Sequence, residues 1–310
     1  MSTGFIENTA GRGAVRYARK RAAKGKPVQG HNPSTRRPGA VTYAILTAVF
    51  VVSVFPLYAA AMYGSSSTQE ISRAVGTLPA WLPTLTLLDN FGAVLSASQF
   101  NFWMAFANSV LVAVAVSAST VFFSTLAGFS FAKLSFRGRK ALYLTVIATL
   151  AIPAQVGTIP MFVMMNDLGW IDSLLALTVP GLVGAFGVFW MTQYLRDALP
   201  DELIEAVRID GASMIQAFWY VGLPAARPAA AMLALFTFVA TWTNFFWPFI
   251  VLDPSNPTLP VALQLLQAAH FVDYSIVLAG AVLSTIPLLL LFAVAGRQLV
   301  SGIMQGAVKG

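Results

Sequence analysis

Six stretches of the chain contain no Asp, Glu, Lys, Arg or His: residues 41–63, 104–132, 141–163, 174–195, 229–251 and 275–296. Each reaches the roughly 20 residues that a helix needs to cross a bilayer core of about 30 Å. The runs are long and lack the alternation of barrel strands, and backbone groups in lipid must be satisfied internally. The pattern therefore predicts an all-α polytopic membrane protein with six transmembrane helices. The second run exceeds one crossing, so its ends are expected outside the hydrocarbon. Pro56, Pro153, Pro160, Pro180, Pro248 and Pro287 lie inside runs and predict kinks or short breaks, tolerated where neighbouring groups re-satisfy the backbone. Ala59 and Ala61 imitate a signal-peptidase site. A leader of about 40 residues and so long an apolar run exceed signal-peptide dimensions, so the first run is read as a span.

Composition agrees with lipid as the solvent. Of 310 residues, 57% are apolar and 10% charged, against roughly 25% charged in a globular average. Cysteine is absent, which excludes a disulfide framework, a thiolate metal site and a cysteine nucleophile. His31 and His270 are too few and too far apart for a histidine metal cluster.

The net charge of +7 is distributed like a topology signal, not like a nucleic-acid surface. Nine of the 19 Lys and Arg precede the first run, four lie in 133–140, three in 196–228 and two after 296. The alternate side, 64–103 with 164–173 and 252–274, holds Arg73 alone. The positive-inside rule then places both termini and the two basic loops in the cytoplasm, a parity that six spans satisfy. Residues 1–40, rich in Arg, Lys, Gly and Pro without periodicity, read as a disordered cytoplasmic tail able to approach anionic membrane lipid. Residues 41–296 read as the six-helix transmembrane domain, with a cytoplasmic loop at 196–228, and 297–310 as a C-terminal cytoplasmic tail.

No phosphate-cradling G-x-x-x-x-G-K-[ST] motif occurs, and no run carries an ionisable side chain. Ion-coupled transport and intramembrane catalysis both ordinarily need such groups. If this chain moves a solute uphill, the energy enters from a partner. A channel would need a filter of carbonyls or rings of charge, and neither is visible in the sequence. Neutral polar groups do occur inside the runs: Asn108 and Ser109 in the second, Thr241, Thr243 and Asn244 beside Trp242 and Trp247 in the fifth. They can hydrogen-bond a neutral polar solute or stack on a sugar ring, and they mark a possible translocation pathway at Asn108, Trp242, Thr243 and Asn244. Their plainer role is interhelical hydrogen bonding and an aromatic belt. Gly181, Gly184 and Gly187 read as close helix packing, since no strand–helix unit surrounds them.

Residues 196–228 differ from the rest and hold five of the chain's 12 acids. Pro200 followed by Asp201 and Glu202 predicts a helix start. Leu203, Ala206 and Val207 share a face, Gly211 breaks the helix, and a second helix is expected from Ala212 to Val221 with Pro224 ending it. An acidic projection is repelled by anionic lipid, so a protein partner suits it better.

Within this insert, "EAVRIDGASMIQAFWYVGLP" (205–224) resembles the EAA signature of bacterial ABC importer membrane subunits: Glu-Ala-Ala, three residues, Gly, nine residues, Ile-x-Leu-Pro. Glu205, Ala206, Gly211, Leu223 and Pro224 match in place, while Val207 and Val221 are mild apolar replacements. Asp210, in "RIDGAS", is similar to the carbohydrate-uptake subfamily. "FPLY" (55–58), "NSVLVAV" (108–114), "LAGFSFAKLSFRGRK" (126–140), "IPAQVGTIPMFVMMNDLGWIDS" (152–173), "NFFWPFIVL" (244–252) and "TLPVAL" (258–263) resemble landmarks of maltose-type permeases. The ending "GIMQGAVKG" (302–310) resembles the G-type permease tail. In the fifth run Trp242 is followed by Thr243 with Asn244 one place later, a departure from the family's Trp-Asn.

The resemblance implies the type I ABC importer permease fold and a transport subunit with no catalytic residues, in a bacterial plasma membrane. It implies pairing with a second homologous permease chain, two ABC ATPase subunits and an extracytoplasmic solute-binding protein. No cofactor belongs to this chain, since ATP and Mg sit on the ATPase. Residues 205–211 take the role of coupling helix, with Glu205, Ala206, Asp210, Gly211, Leu223 and Pro224 as the ATPase-coupling set and "GAVKG" as a second contact. The solute is expected to be a sugar or oligosaccharide, with a glycerol phosphate as the alternative for the subfamily.

Overall fold

The computed structural model describes residues 39–73, 81–267 and 272–307, with side chains described as far as Gly296. His31, His270, nearly all of the basic tail and the end of "GAVKG" lie outside the described residues. The chain falls into two units, Met1–Phe55 and Pro56–Gly310. The described part of the first is the opening of helix α1 (Ala40–Gly64), apolar and exposed on every side through residue 55, as a helix surrounded by lipid or partner chain would be.

The second unit continues with α2 (Thr68–Arg73), α3 (Thr86–Leu95), α4 (Phe102–Lys133), α5 (Arg139–Thr149), α6 (Thr158–Asp167), α7 (Leu175–Gly181), α8 (Ala185–Ala198) and α9 (Asp201–Ile209). After α9 come α10 (Met214–Ala217), α11 (Leu223–Trp242), α12 (Phe246–Val251), α13 (Leu259–Gln267) and α14 (Tyr274–Ala307). No strand occurs among the described residues. Five helices are long and apolar enough to cross a bilayer: Ala40–Gly64, Phe102–Lys133, Leu175–Ala198, Met214–Trp242 and Tyr274–Gly296. A bent pair, α5 with residues Ala154–Asp167, makes a sixth crossing when counted as one.

Helix α4 is the axis of this unit. Asn101 caps it, its side chain accepting the Met104 N–H at 3.0 Å. Its buried face is a column of small residues: Ala105, Ser109, Ala113, Ser117, Thr120, Ser124 and Gly128. Small side chains let helices approach closely where lipid offers no hydrophobic drive between them. A Cβ on Gly128 would lie 2.7 Å from the Met191 Cβ and 2.8 Å from its carbonyl carbon, so α8 is seated against bare backbone. Gly181 and Gly187 make the same kind of approach to Val116 and Ser124. Gly184 does not: a Cβ there meets nothing within 4 Å, so the packing role expected of all three glycines holds for two.

Three buried clusters lie along α4. One joins Val94, Phe102, Trp242, Leu259 and Val277 near its start. A second, around Val112, Val116, Met165, Leu177 and Val251, lies midway. The third joins Phe129, Met191, Leu195, Ile204, Phe218 and Leu233 near its end. We call this last end basic, for the Lys133–Lys140 segment it carries.

Three runs differ from continuous helices; the 174–195 run divides at residues 182–184 into α7 and α8, with Gly184 extended. The 141–163 run is broken at residues 150–153, with the flanking helices at 92°. The helix stops at Thr149, and because proline disfavours helical geometry in the residue before it, Ile152 before Pro153 does not resume it. The 229–251 run divides into the end of α11 and all of α12, separated at Thr243–Phe245. Pro248 is tolerated only in a first helical turn, so the helix restarts just before it. The crossing itself begins earlier than the charge-free run, at Met214. Arg227 is exposed on it, and a long basic stem permits a helix to continue past the charge.

Candidate functional site

The insert at the basic end starts where α8 stops. Pro200 is extended (φ −61°, ψ 144°), and α9 follows with Asp201 and Glu202 in its first turn and Arg208 in its last. Both ends thus complement the helix dipole. The close of α9 is a Schellman turn. Gly211 is left-handed (φ +79°), its N–H donates to the Arg208 carbonyl at 3.1 Å, and the Ala212 N–H reaches the Val207 carbonyl at 3.1 Å. No atom would meet a Cβ on Gly211 within 4 Å, so the demand for glycine is conformational and the space beyond is open. Ser213 then opens α10 with a reciprocal capping box. Its N–H donates to Gln216 Oε1 at 2.7 Å, and its Oγ accepts the Gln216 N–H at 3.3 Å.

The face shared by Leu203, Ala206 and Val207 is split between the interior and the surface. Ile204 is buried and Val207 half-buried in the basic-end cluster, whereas Leu203 and Ala206 are exposed. Ile209 is 86% exposed, Ile215 72% and Tyr220 77%. With Glu202, Glu205, Arg208 and Asp210 also exposed, α9 and its turn present an apolar surface edged by charge. Sequence reading missed Ile209, Ile215 and Tyr220, whose signal was apolar residues at positions off the buried face of a short helix.

Pro224 does not end the second helix. The chain passes from α10 through a π turn, Phe218–Gly222, into α11, with Pro224 at its start. Proline lacks an N–H and crowds the carbonyl four residues back, and a widened π turn relieves that crowding. Leu223 is half-buried and Pro224 exposed. Gly222 abuts the Phe129 ring, where a Cβ would stand at 2.7 Å.

Lys133, the last residue of α4, has a side chain only 3% exposed, and its Nζ lies 2.7 Å from Asp201 Oδ1. The same ammonium donates to the Arg196 carbonyl at 3.4 Å. One buried cation therefore fixes the end of α8 and the start of α9 against the central helix. Arg196 lies over the Tyr143 ring at 5.5 Å, which ties α8 to α5.

The four pathway candidates are not gathered in one place. Asn108 is buried, and its amide donates to Asn256 Oδ1 at 2.9 Å and to the Pro257 carbonyl at 3.0 Å. Trp242 is buried, stacked on Phe238 with ring centroids 5.8 Å apart, its Nε1 donating to the Ser284 carbonyl. Thr243 is exposed and returns its hydroxyl to the Val239 carbonyl at 2.8 Å. Asn244 is exposed at the break and borders a cavity of about 30 Å³ that also touches Ser109, Thr241, Trp247 and Thr258. Nearby, Asp172 is left-handed (φ +59°) and its carboxylate accepts the Asp253 N–H at 3.0 Å, clasping two loops. The Ser255 N–H holds the Asp253 carboxyl below its ordinary range.

Residues 124–303 match the family model described as "Binding-protein-dependent transport system inner membrane component". The chain is 33% identical over 260 residues to the arabinooligosaccharides transport system permease protein AraQ of Halalkalibacterium halodurans, covering 84% of this chain and 92% of that protein. It is 31% identical over 275 residues to the lactose transport system permease protein LacG of Rhizobium radiobacter, covering 88% and 97%. Its fold is similar to a chain in the crystal structure of a bacterial ABC transporter involved in the import of the acidic polysaccharide alginate. That match has a TM-score of 0.68 at 24% identity and covers 83% of this chain and 95% of the other. A family match over more than half of the chain, on a helical fold with a capped, exposed insert between two crossings, makes this chain a member of the binding-protein-dependent transport system inner membrane components.

Proposed function

We propose that this chain is one of two permease subunits of an ATP-driven importer for a neutral sugar or oligosaccharide, with residues 201–211 as its coupling helix. The observation that carries the proposal is the geometry of α9. It is pinned to the membrane helices by Ile204 and by the Lys133–Asp201 pair, and it exposes Leu203, Ala206 and Ile209 outward before the Gly211 turn. An apolar surface edged by both signs of charge suits the cleft of a protein partner better than a lipid headgroup layer. The partner is an ABC ATPase, which binds ATP and Mg and supplies the energy, since the six charge-free runs hold no ionisable group that could couple an ion. A homologous permease completes the pathway and a solute-binding protein delivers the solute to the opposite face. The basic end then faces the cytoplasm, in keeping with the charge bias.

Glu205, Ala206, Asp210 and Gly211 form or edge the docking surface, while Leu223 and Pro224 act behind it. Leu223 packs against the basic-end cluster and Pro224 shapes the π turn. A rigid seat transmits partner motion to α4, α8 and α11 together, and the breaks at 150–153 and 243–245 mark where the crossings can bend. The sugar assignment rests on the solutes in the relatives' names and on neutral spans, which offer no charge to a phosphate.

The chain is to be co-expressed with its partner permease and ATPase, and solute-stimulated ATP hydrolysis measured. Gly211→Val is expected to insert in the membrane and lose stimulated hydrolysis. Normal assembly and stimulation in that variant would remove the coupling assignment.

A further inference from the structure

Beside the break in the fifth crossing, four neutral side chains with unspent hydrogen-bonding capacity converge on the cavity of about 30 Å³. Thr258 is 5% exposed and its Oγ1 is buried with no partner among the described residues. Ser109 is 4% exposed; its Oγ accepts the Leu259 N–H at 2.8 Å, which leaves the hydroxyl proton without an acceptor there. Thr241, half-buried, and Asn244, exposed, complete the polar lining. Trp247 forms one wall and is held in place by donating Nε1–H to the Ala176 carbonyl at 2.9 Å.

A buried hydroxyl without a partner is costly, and native interiors rarely leave one. A space of this size holds one oxygen-sized guest, and a polar lining with two to four partners is what such a guest requires. No charged residue lines the space, so an ionic group would be desolvated there without compensation. We infer that this cavity is a binding site for a single neutral hydroxyl oxygen, filled by water between turnovers and by one hydroxyl of the carbohydrate in transit. The second half of this assignment rests on the sugar reading above. Its place beside Thr243–Phe245 puts the guest where the crossing lacks continuous helix, so occupancy and the bend are in contact.

The test uses the importer assembled with its partner permease and ATPase in lipid nanodiscs. A density map that resolves ordered water is expected to show an oxygen within about 3.2 Å of the Oγ atoms of Thr258 and Ser109. Thr258→Val, equal in shape and lacking the hydroxyl, should lose that density and melt at a lower temperature, because the guest loses a partner. A dry cavity, or a variant that melts higher because an unsatisfied hydroxyl has been removed, would overturn the site. Uptake of lactose, trehalose and arabinotriose into proteoliposomes holding the same importer, with the solute-binding protein supplied at saturation, separates the two sources. For whichever sugar is carried, Thr258→Val should raise KM about three- to tenfold, one hydrogen bond, with turnover unchanged. An occupied cavity with unchanged KM refutes the solute half and leaves a structural water. Wild-type importer that carries none of these sugars counts against the sugar reading, while the density and melting measurements still decide the cavity.

Discussion

The turn at Gly211 and the cavity at Thr258 are built in opposite ways. The turn is assembled from 13 consecutive positions, 201–213, and each demand is met locally: acids at the helix start, a left-handed glycine at its end, a serine cap after it. Its exposed surface faces outward, and in the coupling role proposed above it is completed by a second protein. The cavity is assembled from the second crossing, the fifth, and the segment after it, so Ser109 and Thr258 meet only through the fold. Its groups face inward and need only one oxygen. A local, exposed device can be changed without unfolding the chain. A buried one assembled from distant residues cannot be altered without touching the packing.

The largest effect should come from separating conformation from bulk at the turn. A branched residue in the left-handed region costs roughly 1–2 kcal/mol, too little by itself to unfold the molecule, and a Cβ at this position meets no atom of the chain within 4 Å. Gly211→Val is therefore expected to keep its folded yield and lose at least tenfold in solute-stimulated ATP hydrolysis. Gly211→Asn, which tolerates this backbone region, should retain more of the activity. Equal loss in both would assign the defect to bulk at the interface, and equal retention would remove the turn from coupling. Glu205→Lys, which reverses one exposed charge at the edge of the same surface, should weaken ATPase assembly and leave the melting temperature unchanged.

A smaller effect is expected where the turn is anchored. Asp201→Ala strands the buried Lys133 ammonium with the Arg196 carbonyl as its remaining partner. Leaving a buried cation short of partners costs about 1–3 kcal/mol, read as a lowered melting temperature together with weaker coupling. Lys133→Met removes the charge and keeps the apolar stem, and such replacements are often close to neutral. If Lys133→Met destabilised as much as Asp201→Ala, the pair would be a true source of stability and not a device for fixing position.

The same contrast explains what could be read in the sequence. The crossings were legible because lipid excludes ionisable side chains from long runs, and the helix start and the Gly211 turn because their residues are contiguous. Which face of α9 is buried was not legible. Leu203, Ala206 and Val207 share an arc on a helical wheel, but the wheel does not reveal which edge of that arc meets Phe129 and Leu195, and Ile204 and Val207 do. Pro224 was misread as a stop because a π turn leaves no local mark. Lys133 was counted only as charge, although a lone lysine ending a 32-residue apolar helix is what an enclosed cation looks like in one dimension. Nothing near position 108 announces that its amide is spent on residues 256 and 257.

That amide supplies a test on the buried side of the comparison. Asn108→Ala removes two hydrogen bonds that hold the segment leading to Thr258 and leaves the Pro257 carbonyl unpaired in the interior. A loss of about 1–2 kcal/mol is expected in thermal unfolding, with assembly onto the ATPase unaffected. Loss of ATPase binding in this variant would mean that the two regions are coupled more tightly than their separate construction implies.

The smallest effect concerns three glycines that look alike in sequence. Gly187→Ala drives a Cβ against the Ser124 hydroxyl, and Gly181→Ala presses one onto the Val116 methyls at 3.1 Å. Gly184 has ordinary extended backbone (φ −118°, ψ 137°) at the start of α8 and open space where a Cβ would go. Alanine there removes conformational freedom from the unfolded chain, a gain of about 0.4–1 kcal/mol. It is also a poorer helix N-cap than glycine by a comparable amount. The two terms oppose, so Gly184→Ala should move stability by less than about 0.5 kcal/mol, while Gly187→Ala should lower it measurably. A Gly184→Ala variant as unstable as Gly187→Ala would mean that something outside this chain approaches α8 there. The partner permease would be the first candidate, because the glycine would then be serving an interface that the isolated subunit leaves open.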